Sequence, residues 1–103
     1  MTTDSPFLLS IVCPCHNEEQ AIPLLFGALE PVLKSIAADY EIICVDDGSS
    51  DGTLARLLAA AARNPRIRVI ELSRNFGKEA ALTCGLDHAR GDVVIPIDAD
   101  LQD

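Results

Sequence analysis

The stretch EIICVDDGSSDGTLARLLAAAAR, residues 41–63, reads as a strand, a turn and a helix in that order. Glu41–Val45 is apolar after its first residue and does not alternate with polar ones. A strand of that kind is covered on both faces. The polar run 46–53 follows as a turn, with Asp51 and Thr53 placed to cap a helix. Leu54, Leu57, Leu58 and Ala61 then recur at helical steps over 53–63, and Asn64-Pro65 ends the pattern. A buried strand leading through a short turn into a helix is the repeating unit of a parallel α/β sheet.

The unit recurs on both sides. Upstream, Leu8–Cys13 is an apolar run broken only by one Ser, a second buried strand. Residues 18–38 carry Ile22, Leu25, Phe26, Leu29, Val32, Leu33 and Ile36 at helical spacing. Asn17 stands where a cap is needed, with Glu18 and Glu19 in the first turn, and Pro31 is expected to kink or divide this helix. Downstream, Ile67–Leu72 is a third strand. A loop at 73–77 opens a helix over 77–89 with Leu82, Leu86 and Ala89 as its apolar stripe, and Gly91 lies just beyond. Asp92–Ile97 is the fourth strand. The expected fold is a single α/β domain over residues 1–103, β-α-β-α-β-α-β. Right-handed crossovers give it a parallel, Rossmann-like sheet with flanking helices.

Composition narrows what such a domain does. The chain has 103 residues, 49% apolar, enough for a core of Leu, Ile, Val and Ala. No apolar run approaches the ~20 residues that cross a bilayer, and residues 1–6 lack the basic start of a signal peptide. The expectation is a soluble chain with reduced thiols at Cys13, Cys15, Cys44 and Cys84. Net charge is −8, which opposes binding to a nucleic-acid backbone. Eight of the sixteen acidic residues (Glu18, Glu19, Asp46, Asp47, Asp51, Asp98, Asp100 and Asp103) fall in or beside loops that follow strands. In parallel sheets that rim is where ligands bind.

The last rim segment, Asp98-Ala99-Asp100-Leu101-Gln102-Asp103, is a D-x-D cluster. Its three carboxylates and amide oxygen suit a hard divalent cation. Other metal and phosphate motifs are excluded. Residues 47–52 mimic the start of a calcium-hand loop, but the twelfth position is Leu58. Cys13-Pro14-Cys15-His16 has no second Cys/His pair at zinc spacing. Gly77-Lys78 lacks the earlier glycine of a P-loop, and no G-x-G-x-x-G exists. Lys78 near a helix N-terminus can still meet a phosphate. His16 lies in the first rim loop, placed either to stack on a base or as an ordinary loop residue. His88, near the end of the third helix, suits the helix dipole.

Four ordered segments resemble family 2 glycosyltransferases of the GT-A fold, and among them the polyprenyl-phosphate sugar transferase group. They are residues 11–19 (IVCPCHNEE), 45–53 (VDDGSSDGT), 73–82 (SRNFGKEAAL) and 91–103. The resemblance implies that residues 1–103 are the N-terminal, nucleotide-sugar-binding half of a GT-A domain, cut after the D-x-D. It implies an inverting, metal-dependent transfer of sugar from a UDP- or GDP-sugar to a polyprenyl-phosphate lipid. The full-length enzyme would work at the cytoplasmic side of a cell-envelope membrane. The half present here would be inactive alone and prone to self-association. By position, Pro14, His16 and Glu18 would line the base and ribose pocket, and Val45 and Asp47 would contact the base. Asp98, Ala99 and Asp100 would meet the diphosphate. Asp98 and Asp100 would serve catalysis by holding Mg²⁺ or Mn²⁺, with Gln102 as a further ligand. The family usually has an aromatic residue, often Tyr, where this chain has His16.

Two other classes fit an acidic rim. A phosphoacceptor receiver needs an acidic pair after strand one and an Asp after strand three, whereas strand three here ends in Leu72-Ser73-Arg74. A ligand-free interaction module predicts that Asp98→Ala and Asp100→Ala change no binding property.

Overall fold

A computed structural model describes residues 7–36 and 39–100. Its elements are β1 (Leu8–Cys15), α1 (Ala21–Ile36), β2 (Asp39–Asp46), α2 (Thr53–Arg63), β3 (Ile67–Glu71), α3 (Lys78–His88) and β4 (Val93–Pro96). All strand pairs are parallel, in the order β3-β2-β1-β4. The chain steps from β1 to β2 to β3 in one direction and returns to place β4 on the other side of β1. The switch point therefore lies between β1 and β4.

The two central strands are buried on both faces, as their unbroken apolar runs require. Leu9, Ile11 and Cys13 of β1 and Ile42 and Cys44 of β2 meet α1 and α2 through Ile22, Leu25, Phe26, Leu33, Leu57 and Ala60. Val12, Ile43 and Val45 face the other way, onto α3 at Ala81. Three layers result, with α1 and α2 below the sheet and α3 above it.

Several helix details differ from the sequence expectation. Leu58, Leu86, Val32 and Ile36 are exposed, although their spacing places them on apolar stripes. The buried positions of α3 are Ala81 and Gly85, so this helix meets the sheet through its small residues. A Cβ on Gly85 would stand 2.4 Å from Val12 Cγ1, which shows how close the approach is. Pro31 does not divide α1, which runs continuously across it. Asn17 does not cap α1, and Glu18 and Glu19 lie before its first turn. Asn17 and Glu19 are used instead to join two loops, as described below.

The cleft at the switch point is opened by the strands themselves. Ile97 N–H donates to Val12 C=O at 2.9 Å, so even-numbered residues of β1 turn their backbone polar groups toward β4. The β1–β4 ladder ends at Val12 and Pro96. Pro14 is next in that series, so its missing N–H costs no ladder bond. Beyond this point β1 and β4 part, and the two rim loops diverge around a gap.

Candidate functional site

The gap is a cleft of about 460 Å³ lined by Pro14, Cys15, His16, Glu18, Asp47, Asn75, Gly77, Lys78, Asp98, Ala99 and Asp100. Its size falls in the range that holds a small organic ligand. It brings together seven of the sequence-predicted positions: Pro14, His16, Glu18, Asp47, Asp98, Ala99 and Asp100. Val45 is not among the lining residues; its side chain is fully buried between sheet and α3. Gln102 lies outside the described residues. Cys15, Asn75 and Gly77 also line the cleft; they fall within the segments 11–19 and 73–82 that carry the family resemblance, where the sequence gives them no individual role. Lys78, the candidate phosphate contact, is part of the wall.

The loops after β1 and β2 are tied side by side. Asp47 N–H continues the ladder by donating to Cys15 C=O at 2.8 Å. Asn17 takes a left-handed backbone, φ 53°, a conformation Asn tolerates better than most side chains. Its N–H donates to Ser49 Oγ at 2.9 Å, and its Oδ1 accepts from Ser50 N–H at 2.8 Å. Glu18 N–H donates to Thr53 Oγ1 at 2.8 Å, and the Glu19 carboxylate accepts from Gly52 N–H at 3.0 Å. Asp51 Oδ1 accepts from Thr53 N–H at 2.9 Å and so folds the turn into α2.

Asp47 ties in the third loop. It is 3% exposed, and its carboxylate accepts from Phe76 N–H at 2.7 Å and Gly77 N–H at 3.0 Å. Charge-assisted bonds of this kind are roughly twice as strong as neutral ones. Asp46 is also buried, does not line the cleft, and has an Oδ1 without a hydrogen-bond partner.

His16 is oriented from both ends. Nδ1 lies 2.7 Å from Asp47 C=O, which can only accept, so Nδ1 carries the proton. Nε2 then accepts from the Asn75 side-chain amide at 3.2 Å, with the Asn17 amide at 3.4 Å. The ring thus stands at the cleft wall with both nitrogens engaged.

The opposite wall is acidic. Burial pushes the Glu18 carboxyl up, and the charges of Asp100, Asp51 and Asp98 add to that, while His16 opposes it. Like charges therefore crowd the mouth, and a cation would relieve them. One is already in place: Lys78 Nζ lies 2.6 Å from Asp98 Oδ1. Among the described residues no group of three or more His, Cys, Asp or Glu forms a metal cage. Two carboxylates plus ligand phosphates are a usual environment for Mg²⁺. The donor set of Asp98 and Asp100 fits a divalent ion held in that shared way. No helix among the described residues is long and apolar enough to cross a membrane.

Comparison with known proteins gives a consistent result. The model of glycosyl transferase family 2 matches residues 10–103. An uncharacterized glycosyltransferase of Synechocystis is 55% identical over 95 residues, 92% of this chain and 30% of its own. A prophage bactoprenol glucosyl transferase homolog of Escherichia coli is 44% identical over 95 residues, 92% of this chain and 31% of its own. The chain thus spans less than a third of the length of these curated relatives. Among solved structures, a Pyrobaculum calidifontis mannosyltransferase in complex with GDP-Man and Mn²⁺ superposes with a TM-score of 0.76 and 28% identity, over 89% of this chain and 27% of that one. S. aureus TarS in complex with UDP-GlcNAc gives 0.74 and 28%, over 89% of this chain and 26% of that one.

Proposed function

Because the chain belongs to glycosyl transferase family 2, we propose that its cleft is the donor site of a sugar transferase and binds the nucleotide of a UDP- or GDP-sugar. The observation that carries this reading is the gathering of Pro14, His16, Glu18, Asp47, Asp98, Ala99 and Asp100 into one cleft at the switch point. The relatives named for bactoprenol glucosyl transfer favour a polyprenyl-phosphate acceptor, supplied with further residues by the whole protein. A mannosyltransferase bound to GDP-Man and Mn²⁺, and a structure bound to UDP-GlcNAc, favour a nucleotide-sugar donor.

Under this reading each residue has a role. Pro14 and His16 would line the pocket that takes the base. Glu18, beside them, is an acceptor for ribose hydroxyls. Asp98 and Asp100 would hold Mg²⁺ or Mn²⁺ against the diphosphate, with Gln102 as a further ligand. Bound there, the ion would neutralise charge that grows on the departing nucleoside diphosphate. An attacking lipid phosphate is already largely ionised at neutral pH, since its second pKa is about 6, and needs little help from a general base. The lack of an obvious general base among the described residues therefore does not count against the reading.

Calorimetric titration of the chain with UDP and GDP, each with and without Mn²⁺, tests the donor site. Binding of at least one nucleotide is expected, tightened roughly tenfold or more by Mn²⁺. Asp98→Asn with Asp100→Asn, which removes both carboxylates proposed to hold the ion, should erase the Mn²⁺ increment. No heat with either nucleotide, from protein with native circular dichroism, overturns the assignment.

We also propose that this chain self-associates through β4. It is a sheet edge among the described residues, and Val93 and Ile95 are 43% and 41% exposed. Open edges recruit other strands. Pro96 removes one outward donor, so the association should be weak and concentration-dependent. Light scattering should show the mean mass rising with concentration, and Val94→Pro should abolish the rise. A constant monomer mass at millimolar protein would refute it.

A further inference from the structure

We propose that Lys78 is a built-in counter-cation of the D-x-D carboxylates, displaced from Asp98 by an arriving divalent ion and redirected toward a donor phosphate. The inference rests on the donor-site reading above. Lys78 and Asp98 both line the cleft, and their ion pair crosses it at 2.6 Å. Lys78 belongs to the first turn of α3 and Asp98 to the loop after β4, so the contact joins two elements that no strand ladder connects.

The pair has the properties of an exchangeable contact. Its side chains are 67% and 37% exposed, so solvent and ions reach both partners. Exposed pairs of this kind are weak, and a binding divalent ion outcompetes them readily. Four carboxylates, Glu18, Asp47, Asp98 and Asp100, line the cleft, and the charges of Asp98 and Asp100 are already felt at Glu18. A single ammonium leaves that wall net negative, so the attraction for a doubly charged ion persists. The same oxygen of Asp98 cannot keep an ammonium at hydrogen-bond distance and also coordinate a metal without crowding two cations together. Metal entry therefore expels the ammonium. A Lys side chain is a flexible four-carbon stem with a compact charge, and it can swing while remaining at the cleft. There it meets the other charged partner of the site, the donor phosphate.

This arrangement gives Lys78 opposite effects on two ligands. It competes with the metal and assists the nucleotide. A lysine that only braced α3 against the loop would shift both in the same direction or neither.

The test uses Lys78→Gln and Lys78→Arg in the whole chain, with circular dichroism to confirm folding. Mn²⁺ binding without nucleotide is read by electron paramagnetic resonance of the free ion. UDP and GDP binding is read by calorimetry in EDTA. Lys78→Gln should bind Mn²⁺ roughly 3- to 10-fold more tightly and the nucleotide roughly 3- to 10-fold more weakly, the size expected for one partly solvated charge contact. Lys78→Arg, which keeps the charge, should stay near wild type for both. Unchanged or weaker Mn²⁺ binding by Lys78→Gln overturns the counter-cation role. If a nucleotide binds in EDTA but neither protein binds Mn²⁺, the counter-cation role fails while the donor site stands. If no nucleotide binds under any condition, the donor-site reading fails and this inference with it.

Discussion

Gly48→Ala is expected to lower stability by roughly 2–4 kcal/mol and to abolish nucleotide binding at concentrations that saturate the wild type. Gly48 has φ +63°, where any side chain is strained. The steric clash costs more than the strain. A Cβ there would stand 2.3 Å from both Arg74 C and Asn75 N, which are backbone atoms that cannot rotate away. The loop after β3 must move, and that loop is what Asp47 holds. The carboxylate loses N–H donors at Phe76 and Gly77 and is left buried with unmet hydrogen-bonding capacity. Asn75 moves with the loop, so His16 loses the amide that faces its Nε2. Gly27→Ala is the matched control. A Cβ at Gly27 meets nothing within 4 Å, and the residue is interior to α1, so this change should add about 0.5–1 kcal/mol. Urea unfolding and calorimetry on both variants separate the outcomes. Wild-type nucleotide affinity in a folded Gly48→Ala protein would show that the packing of the two loops does not shape the site.

The same contacts explain why some of the molecule was legible in the sequence. β1 and β2 read correctly because both faces are buried, so hydropathy alone marks them. In a parallel sheet every strand end lies on one rim, so chemistry-bearing residues after strands fall together once the topology is known. That logic takes Pro14, His16, Glu18, Asp47 and Asp98–Asp100 to one place. It cannot see how the loops are tied. Asn17 and Glu19 look like helix-capping residues because capping is local, whereas their actual partners, Ser50 and Gly52, lie 33 positions away. It also misjudges α3. Hydropathy favours Leu86, but close packing on Val12 and Val45 is possible only through a residue without a side chain, so Gly85 faces the sheet and Leu86 faces out. The Lys78–Asp98 pair is hidden for a similar reason, since its members lie 20 positions apart with most of α3 and all of β4 between them.

Glu41→Ala is expected to destabilise the domain by about 3 kcal/mol, the cost of removing a buried carboxylate that accepts from Ser10 and Arg90 and pairs with the partly exposed Arg68. Against a total of roughly 5–15 kcal/mol for a domain, this brings the chain near its unfolding limit. Glu41 is 7% exposed at the end of the sheet opposite the cleft. Its Oε2 accepts from Ser10 Oγ at 2.6 Å and Arg90 N–H at 2.8 Å, and its Oε1 pairs with Arg68 at 2.7 Å. Gly91 N–H donates in turn to Ser10 Oγ at 2.8 Å, so one carboxylate fastens β1, β2, β3 and the segment that leads from α3 into β4. Burial alone would push this carboxyl up, but the bonds from Ser10, Arg90 and Arg68 outweigh it, and its pKa is lowered. The sign of the pH effect follows. A depressed folded pKa contributes stability that is fully present above the unfolded value, about 4.3, and is lost as pH falls through the folded value. Denaturant midpoints of wild type and Glu41→Gln should therefore differ fully above the unfolded value, about 4.3, and converge as pH falls below it. The isosteric variant keeps the volume but meets N–H donors with an amide, so it should lose about 1–3 kcal/mol at neutral pH. Midpoints that stay equally separated down to pH 3 would mean that packing, and not the charge of Glu41, holds this end of the sheet together.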